Sequence, residues 1–277
     1  MRRVEIGRRP SASLSVTPLK VTVVTVNYNM ADGLAKTISN VTDQTWPNLE
    51  YIVIDGGSTD NSVEVIRRHV GRIAHWVSER DRGIYDAMNK GVAAATGDWI
   101  IFMNAGDVFH DASVISDVFA QNLDDADIVY GDMMRRYSEE DVERLVPAQP
   151  VSALPLRMPC SHQSMFARRK LLLDLPFSGD LSIVADHEFV LRSWLEGARF
   201  RKLNRVIGIF STGGASDNNR PQAMRQLLAV LRRHNVLTPA LRLRHAAMLA
   251  RALAGSLLKR IFPRRVRKWI LQRNLPN

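Results

Sequence analysis

The stretch VTVVTVNYN at residues 21–29 decides the fold, because its first six residues are all Val or Thr, the β-branched residues that favour a strand. A segment with helical spacing follows at 30–43. A second apolar run, YIVI at 51–54, then ends in the loop DGGSTD at 55–60. This order predicts a β-α-β unit in which two parallel strands are joined by a helix.

The same alternation of apolar runs and helical segments continues through the next forty residues. It predicts helices at 61–69 and 84–95, and strands at 73–77 and 99–103. Continuous apolar strands separated by helices are typical of a mostly parallel sheet that helices cover on both faces. The first half of the chain is therefore predicted to be an α/β fold.

After Asn104 the pattern changes and predicts a mixed arrangement of helices and antiparallel strands. The predicted elements are a helix at 112–121, a strand at 128–130, hairpin strands up to 148, a strand at 163–166, a helix at 185–196, and strands at 200–203 and 206–210.

Composition limits the class of protein. The 277 residues are 45% hydrophobic, so the chain can bury a core, and the single thiol, Cys160, excludes an intramolecular disulfide and a Cys/His metal cluster around it. No window has the 18 or more consecutive apolar residues of a membrane span, and the N-terminus lacks the apolar centre of a signal peptide. A cytoplasmic protein is expected.

The net charge of +10 is unevenly distributed along the chain. Residues 220–277 contain fourteen Lys and Arg and no Asp or Glu, whereas the preceding residues contain 24 Lys and Arg against 28 Asp and Glu. A polyanion-binding surface is therefore expected in the C-terminal part and the chemistry in the slightly acidic body.

Four polar clusters follow the four predicted parallel strands, at 25–29, 55–57, 78–83 and 104–107. In open parallel sheets, ligands bind outside the carboxyl ends of the strands, so these clusters are expected to form one site. The G-x-G-x-x-G turn of dinucleotide-binding proteins is absent after the first strand.

The clusters resemble, in order and spacing, family 2 glycosyltransferases of the GT-A fold. The resemblance covers roughly residues 20–216 and depends on four phrases: VTVVTVNYN at 21–29, YIVIDGGSTDNS at 51–62, SERDRGIYDAMNKGVAAATGDWIIFMNAGD at 78–107 and IVADHEFVLR at 183–192. The closest variant is the one found in bacterial exopolysaccharide, lipopolysaccharide and glycolipid assembly. The resemblance implies a catalytic domain at 19–216, preceded by a disordered leader at 1–18 and followed by a basic helical tail at 217–277.

The resemblance also implies a role for each matching residue. Asp186 matches the catalytic base, Asp107 the metal-binding carboxylate, and His162 a position on the acceptor or diphosphate side. Gly213 and Gly214 match a loop that closes over the site. The residues implied to bind the nucleotide sugar are Thr25, Asn27, Asp55, Asp81, Gly83, Asn89, Asn104 and Asp107.

The chain departs from the family pattern at two places. Most members have Asp-x-Asp-Asp where this chain has Asn104-Ala105-Gly106-Asp107, which leaves Asp107 as the carboxylate for a divalent metal, Mn²⁺ or Mg²⁺. Many members also have an Arg where this chain has Met88, so Lys90 or Arg82 is expected to supply the positive charge.

The implied reaction transfers a sugar from a UDP-sugar donor to a hydroxyl of a lipid-linked or cell-envelope saccharide acceptor. Metal at Asp107 neutralises the leaving diphosphate and Asp186 deprotonates the hydroxyl, so a single displacement inverts the anomeric configuration. Each residue taken alone has a simpler interpretation: Asp55 as a turn residue, Asp186 as a carboxylate at a helix start, and His162 as a structural hydrogen-bond partner.

Residues 221–277 alternate Leu, Val and Ile with Arg and Lys and include two aromatic residues, Phe262 and Trp269. A basic amphipathic helix of this type lies on an anionic membrane, where each basic group contributes about 1 kcal/mol. The expectation is peripheral attachment to the inner face of the cell membrane, and the alternative is a packed, solvated helical extension. No nucleic-acid partner is expected, because no reader motif is present.

Two other functions remain open. A sugar-1-phosphate nucleotidyltransferase shares the nucleotide-binding α/β fold but needs a cationic Gly-rich loop after the first strand, which residues 27–32 lack. A non-catalytic nucleotide-sugar-binding or membrane scaffold protein is consistent with the altered motif at 104–107.

Overall fold

A computed structural model describes residues 19–137, 141–211, 219–261 and 268. The predicted leader at 1–18, the loop glycines Gly213 and Gly214, and most of the chain after 261 lie outside the described residues.

The first half of the chain is the predicted parallel α/β arrangement. Strand β1 pairs in parallel with β2 on one side and β4 on the other, and β2 pairs in parallel with β3. The elements are β1 (Val21–Asn27), α1 (Ala31–Thr42), β2 (Leu49–Asp55), α2 (Ser62–Arg68), β3 (His75–Ser78), α3 (Ile84–Ala94) and β4 (Trp99–Phe102).

The second half is mixed, as the change of pattern after Asn104 predicted. Its elements are β5 (Val108–Phe109), α4 (Val114–Phe119), β6 (Ile128–Tyr137), β7 (Val142–Val146), β8 (Met165–Arg168), α5 (Arg169–Asp174), α6 (Ala185–Leu195), β9 (Phe200–Ser211), α7 (Arg220–Arg233) and α8 (Pro239–Ile261).

Within the described residues the strands form one nine-stranded sheet in the order β3-β2-β1-β4-β8-β6-β9-β5, with β7 paired to β6. Two predictions differ from the structure. The strand expected at 163–166 starts as a 3₁₀ turn at His162–Ser164 and becomes β8 only at Met165. The strands expected at 200–203 and 206–210 are one strand, β9, whose register beside β6 shifts around Asp132.

Helices cover both faces of the sheet, and β1 shows why its sequence suits this position. Val21 and Val23 pack on the face covered by α1 and α4, whereas Val24 and Val26 pack on the face covered by α3 and α6. All seven residues of β1 are buried, which explains why the run carries no exposed polar alternation.

The basic C-terminal part begins with a helix that belongs to the core. Leu227, Val230 and Leu231 of α7 are buried in the same cluster as Phe189 of α6. The apolar face of α7 therefore packs on the body, on the C-terminal side of the domain boundary predicted at 216/217. In the part of the chain that the structure describes, no helix combines the length and the hydrophobicity that crossing a bilayer requires.

A buried carboxylate, Glu50, fixes the start of β1 against β2 and the turn before β4. It accepts hydrogen bonds from Thr22 Oγ1 at 2.6 Å and Thr96 N at 2.7 Å, and Lys20 Nζ lies 2.7 Å away. Burial raises the pKa of Glu50, but the hydrogen bonds from Lys20, Thr22 and Thr96 outweigh burial and lower the pKa to about 2.

We expect Glu50→Gln to lower the free energy of unfolding at pH 7 by about 1–3 kcal/mol, since the charged acceptor is lost. Because the folded pKa is depressed, the stability from Glu50 is fully present above about pH 4.5 and disappears as the pH falls toward 2. Urea unfolding from pH 7 to pH 2 is expected to show the two proteins converging in stability. A constant difference across that range would contradict this role.

Candidate active site

A cavity of about 650 Å³ lies at the carboxyl ends of β1, β2 and β4, where the polar clusters were predicted to meet. We call it the strand-end cavity. Four of the predicted binding residues line it: Asn27, Asp81, Gly83 and Asn104. The remaining lining residues are Val26, Tyr28, Met30, Gly56, Gly57, Arg80, Ile84, Ala87 and Ala105.

Asp55 lies behind the wall of this cavity and does not line it. Its carboxylate is fully buried and accepts hydrogen bonds from Asn27 Nδ2 and Ser78 Oγ, both at 2.6 Å, and from the backbone N and the Oγ of Ser58 at 2.9 and 2.6 Å. Burial raises the pKa of Asp55, but these bonds outweigh it and hold the pKa below its usual value. Asp55 therefore orients Asn27 and the loop after β2.

Thr25 and Asn89 also lie away from the cavity surface. Thr25 is fully buried, and its hydroxyl donates to Met103 O at 2.8 Å. The Asn89 amide holds the backbone of Phe177 from both sides, by Nδ2 to Phe177 O at 2.9 Å and from Phe177 N to Oδ1 at 3.0 Å. Both residues thus support the site by bonding to the backbone, and their direct contact with a nucleotide sugar stays a prediction.

The loop after β3 forms the opposite wall of the strand-end cavity and packs closely on the loop after β2. Gly57 has φ +77°, and a Cβ at this position would lie 3.2 Å from Arg80 N, so a side chain here is strained. Lys90 forms ion pairs with Asp81 and Glu79. The cation predicted to replace the family Arg is therefore used to fix this loop.

Two buried acceptors of the strand-end cavity have no hydrogen-bond partner among the described residues: Asn27 Oδ1 and Asn104 Oδ1. Buried polar atoms are rarely left without partners, because the unmade bond costs free energy. Their position on the wall of a cavity indicates a site that is completed by a polar ligand.

A chain of side chains connects the strand-end cavity to Asp186. Asn104 Nδ2 lies 3.0 Å from His162 Nε2, and His162 Nδ1 lies 3.2 Å from Asp186 Oδ2. We assign the His162 tautomer from these partners: an Nε2 that accepts from Asn104 leaves the proton on Nδ1, where it is donated to the carboxylate. The sequence separates these three residues by up to 82 positions, and the fold brings them together.

The Asp186 carboxylate is held on both oxygens at the start of α6. Oδ1 accepts from His187 N at 2.8 Å and lies 3.0 Å from the Tyr85 hydroxyl, while Oδ2 faces His162. Burial raises the pKa of Asp186, but the hydrogen bonds from His162 and from the His187 amide outweigh it and keep the pKa below its usual value. The side chain remains 20% exposed, so an ionised carboxylate is accessible to a ligand.

Asp107 occupies the turn after β4, next to the same network. Its Oδ2 accepts from Gln163 Nε2 at 2.7 Å. Burial raises the pKa of Asp107 to about 6, against the opposing effect of the Gln163 hydrogen bond. A carboxylate in this state gains strongly from a nearby cation.

The strand-end cavity does not contain Asp186, which instead lines a second cavity of about 310 Å³ beside α7 and α8. We call this the α7–α8 groove. Its lining residues are Leu156, Arg157, Met158, Ile183, Val184, Asp186, His187, Ala223, Met224, Leu227, Met248 and Leu249. The Asn104–His162–Asp186 chain is thus the connection between two cavities.

Several functional residues were missed by sequence analysis. Tyr28, 67% exposed, and Ile84 form an apolar rim of the strand-end cavity, and Arg80 adds a cation. Tyr85 and Gln163 hold the two candidate carboxylates, Asp186 and Asp107. The aromatic residue between two asparagines in the phrase NYN was the one signal in the sequence for Tyr28, whereas the contacts of Tyr85 and Gln163 depend on tertiary structure.

Among the described residues, no group of three or more His, Cys, Asp or Glu side chains is arranged to hold a metal ion by itself. The unpartnered Asn104 Oδ1 and the carboxylate of Asp107 are both hard oxygen donors on the same turn. They fit a Mn²⁺ or Mg²⁺ ion that takes its other ligands from a bound diphosphate and water.

Comparison with known proteins identifies the class. The family described as Glycosyl transferase family 2 matches residues 22–176, more than half of the chain. The chain belongs to this family and is a glycosyltransferase, as the motif resemblance predicted. The match ends before α6, so Asp186 and the helices of the α7–α8 groove lie beyond it.

Similar curated proteins are mycobacterial glycosyltransferases. The uncharacterized glycosyltransferase Rv1514c of Mycobacterium tuberculosis is 32% identical over 211 residues, which cover 74% of this chain and 79% of that protein. The PGL/p-HBAD biosynthesis glycosyltransferase of Mycobacterium bovis is 28% identical over 203 residues, covering 71% and 78%.

Solved structures with the same architecture confirm the GT-A fold. The mannosyltransferase PcManGT from Pyrobaculum calidifontis, in complex with GDP-Man and Mn²⁺, has a TM-score of 0.63 at 18% identity and covers 93% of this chain and 85% of its own. TarS 1-349 of S. aureus, in complex with UDP-GlcNAc, has a TM-score of 0.62 at 17% identity. This chain aligns over 77% of its length and spans 66% of that fragment.

Proposed function

We propose that this glycosyltransferase moves a sugar from a UDP-sugar to an acceptor hydroxyl with inversion, and that Asp186 is the general base. The observation that supports this most strongly is the Asn104–His162–Asp186 chain. It joins a cavity with unpartnered polar acceptors to an accessible, ionised carboxylate. An inverting transfer needs a base on the side of the anomeric carbon opposite the leaving group, because the hydroxyl attacks from that face.

The strand-end cavity is the proposed donor site. Its volume of about 650 Å³ is in the range of small-molecule sites, and Tyr28 offers an exposed ring for stacking a nucleobase. Asn27 and Arg80 supply a polar acceptor and a cation for the ribose and phosphates. Structures of similar fold hold UDP, UDP-GlcNAc or GDP-Man, which supports a nucleotide-linked donor, and the motif resemblance favours UDP.

Asp107 and Asn104 are the proposed protein ligands of a divalent metal. When bound, the metal supplies Lewis-acid stabilisation of the charge on the leaving diphosphate. The protein contributes the negative charge of Asp107, and burial makes that charge unfavourable unless a cation is bound. Gln163 fixes the orientation of the carboxylate by its hydrogen bond. Mn²⁺ in the mannosyltransferase structure supports the choice of ion.

Asp186 takes the proton of the acceptor hydroxyl. At the same time the hydroxyl oxygen bonds to the anomeric carbon of the donor, and the bond between that carbon and the diphosphate oxygen breaks. The neutral sugar product and UDP leave, and the proton stays on Asp186 until solvent removes it. His162 holds the carboxylate from Oδ2, and Tyr85 and His187 N hold it from Oδ1, so the base is oriented before the acceptor binds. One base and one step give inversion.

The acceptor is proposed to be a lipid-linked or cell-envelope saccharide at the cytoplasmic face of the membrane. Fourteen Lys and Arg without any Asp or Glu in residues 220–277 support attachment to anionic lipid. On the described part of α8, Arg242 and Arg244 are exposed beside Leu243, which is 74% exposed. This combination of exposed apolar and basic side chains suits a membrane surface.

The donor site is tested by thermal unfolding with UDP and UDP-sugars in the presence of Mn²⁺. A ligand at a hundredfold excess over its Kd is expected to stabilise the protein by about 2.7 kcal/mol. Tyr28→Ala is expected to raise the Kd of UDP by about 5- to 150-fold, the loss of one base–aromatic stack. Val70→Ala, an exposed apolar change outside the cavity, serves as the control and is expected to bind UDP normally.

The non-catalytic alternative makes the opposite prediction for turnover. A binding or scaffold protein is stabilised by UDP-sugars but releases no UDP from them when acceptor glycolipid is added. Absence of stabilisation by any nucleotide sugar, or equal UDP affinity in wild type and Tyr28→Ala, would contradict the proposed donor site.

A further inference from the structure

The α7–α8 groove differs in chemistry from the strand-end cavity. Nine of its twelve lining side chains are apolar, and three of these are methionines. Of the polar members, His187 donates from Nε2 to Leu154 O at 2.7 Å and is buried. The polar groups accessible to a ligand are therefore the Asp186 carboxylate and the guanidinium of exposed Arg157.

The walls of the groove are fixed to the body by buried polar contacts. His245 of α8 is 1% exposed and its Nε2 lies 2.8 Å from Pro155 O, next to the Leu154 carbonyl that faces His187. On α7, Arg233 Nη1 lies 3.0 Å from Glu188 Oε1 at the start of α6. These contacts hold α7 and α8 against the body, so both helices are fixed walls of the groove.

We propose that the α7–α8 groove binds the apolar aglycone of the acceptor, an alkyl or aryl chain joined directly to the sugar whose hydroxyl meets Asp186. This rests on the proposed function and names the acceptor's chemical class. The groove is continuous with the carboxylate, because Asp186 is one of its lining residues. Its volume of about 310 Å³ is roughly twice that of a cavity of about 150 Å³ that accommodates benzene.

The distribution of polar and apolar side chains in the groove also matches an amphiphilic ligand. A molecule with one hydroxyl-bearing head and one apolar chain satisfies Asp186 and Arg157 at its head and the Met and Leu side chains along its chain. Methionine side chains are flexible and adapt to chains of different shape. A polar acceptor without an apolar chain, in contrast, leaves the apolar lining in contact with water.

The test uses the full chain and a series of alkyl β-D-glucopyranosides from methyl to octyl, kept below their micelle-forming concentrations, in isothermal titration calorimetry. Each added methylene that enters the groove is expected to lower the Kd about fourfold, following the transfer free energy of a methylene group. The same Kd for the methyl and octyl glucosides would overturn the proposal.

Two substitutions on α7 separate the groove from non-specific adsorption. Ala223→Trp fills the groove, whereas Ala229→Trp places the same ring on the exposed side of the same helix. We expect Ala223→Trp to lose the dependence on chain length and to bind octyl glucoside at least tenfold more weakly, and Ala229→Trp to match wild type. Wild-type binding by Ala223→Trp would overturn the proposal.

Met224→Gln provides a second variant of nearly the same size, which decides the matter if Ala223→Trp does not fold. It is expected to weaken octyl glucoside about tenfold with little effect on methyl glucoside, because a polar amide replaces an apolar thioether. An unchanged ratio of the two Kd values would count against the groove.

UDP binding, measured on the same samples, distinguishes failure of this inference from failure of the proposed function. UDP stabilisation without any chain-length dependence removes the aglycone groove and leaves the donor site intact. Chain-length dependence without UDP stabilisation supports the groove and contradicts the proposed donor site.

Discussion

Asp186→Asn is expected to lower the rate of glycosyl transfer by about 10²- to 10⁴-fold while leaving the Kd of UDP unchanged. The amide has nearly the shape of the carboxylate, so Oδ1 can still face His187 N and the Tyr85 hydroxyl. It cannot accept the hydroxyl proton at neutral pH. UDP affinity is retained because Asp186 lines the α7–α8 groove and not the strand-end cavity.

Steady-state UDP release and calorimetric UDP binding measure the two quantities separately. Asp174→Asn is the matched control, since this carboxylate lies on the surface in an ion pair with Lys170. The control is expected to have wild-type turnover. An Asp186→Asn protein with wild-type turnover would remove Asp186 from the mechanism, whatever its effect on stability.

Asp107→Asn is expected to weaken metal-dependent UDP binding and to lower turnover by about 100-fold or more, because the one carboxylate of the 104–107 turn loses its charge. Its amide oxygen can still accept from Gln163 Nε2, so the turn is expected to keep its conformation. UDP affinity is measured with Mn²⁺ and with excess chelator, in wild type and variant.

The expected signature is an affinity that chelator lowers in wild type but barely changes in Asp107→Asn. Asp124→Asn, an exposed carboxylate remote from the cavity lining, is the control and is expected to keep the full response to chelator. A full response to Mn²⁺ in Asp107→Asn would show that the metal is held elsewhere or is not used.

The sequence predicted the parallel half of the fold well because β1, β2 and β4 are buried on both faces. Val21 to Val26 carry no polar alternation, and their neighbours along the chain are helices with clear apolar spacing, so local pattern and tertiary position agree. The irregular strand β9 was predicted as two strands because Asn204 and Arg205 separate its two apolar runs, whereas in the structure it is one strand whose register beside β6 shifts at Asp132. A shift of this kind depends on the partner strand and is invisible in β9 itself.

The sequence predicted where the candidate site lies, but not which of its residues face the cavity and which bond to the protein. Asn27, Asp81 and Asn104 line the strand-end cavity as expected, since strand ends meet at one edge of the sheet. Asp55 and Asn89 follow the same motifs but bond to the protein itself, and only three-dimensional contacts reveal this difference. The motifs therefore identify residues that the fold needs to build the site as well as residues that contact a ligand.

The C-terminal part shows the limit of charge as a guide. Its lack of acidic residues indicated a surface tail, yet the buried Leu227, Val230 and Leu231 place α7 in the core. Helical spacing allowed both interpretations, because an amphipathic helix covers either a membrane or a protein body. The contact of His245 with Pro155 O extends this integration to α8.

The most direct test of the account follows the product of one turnover by proton NMR, with wild-type protein, Mn²⁺, a panel of UDP-sugars and an alkyl glycoside acceptor. We expect release of UDP and a new glycosidic bond whose anomeric configuration is opposite to that of the donor. A product that retains the donor configuration, or a protein that binds UDP-sugars and never transfers the sugar, would contradict a single-base inverting transferase built on Asp186.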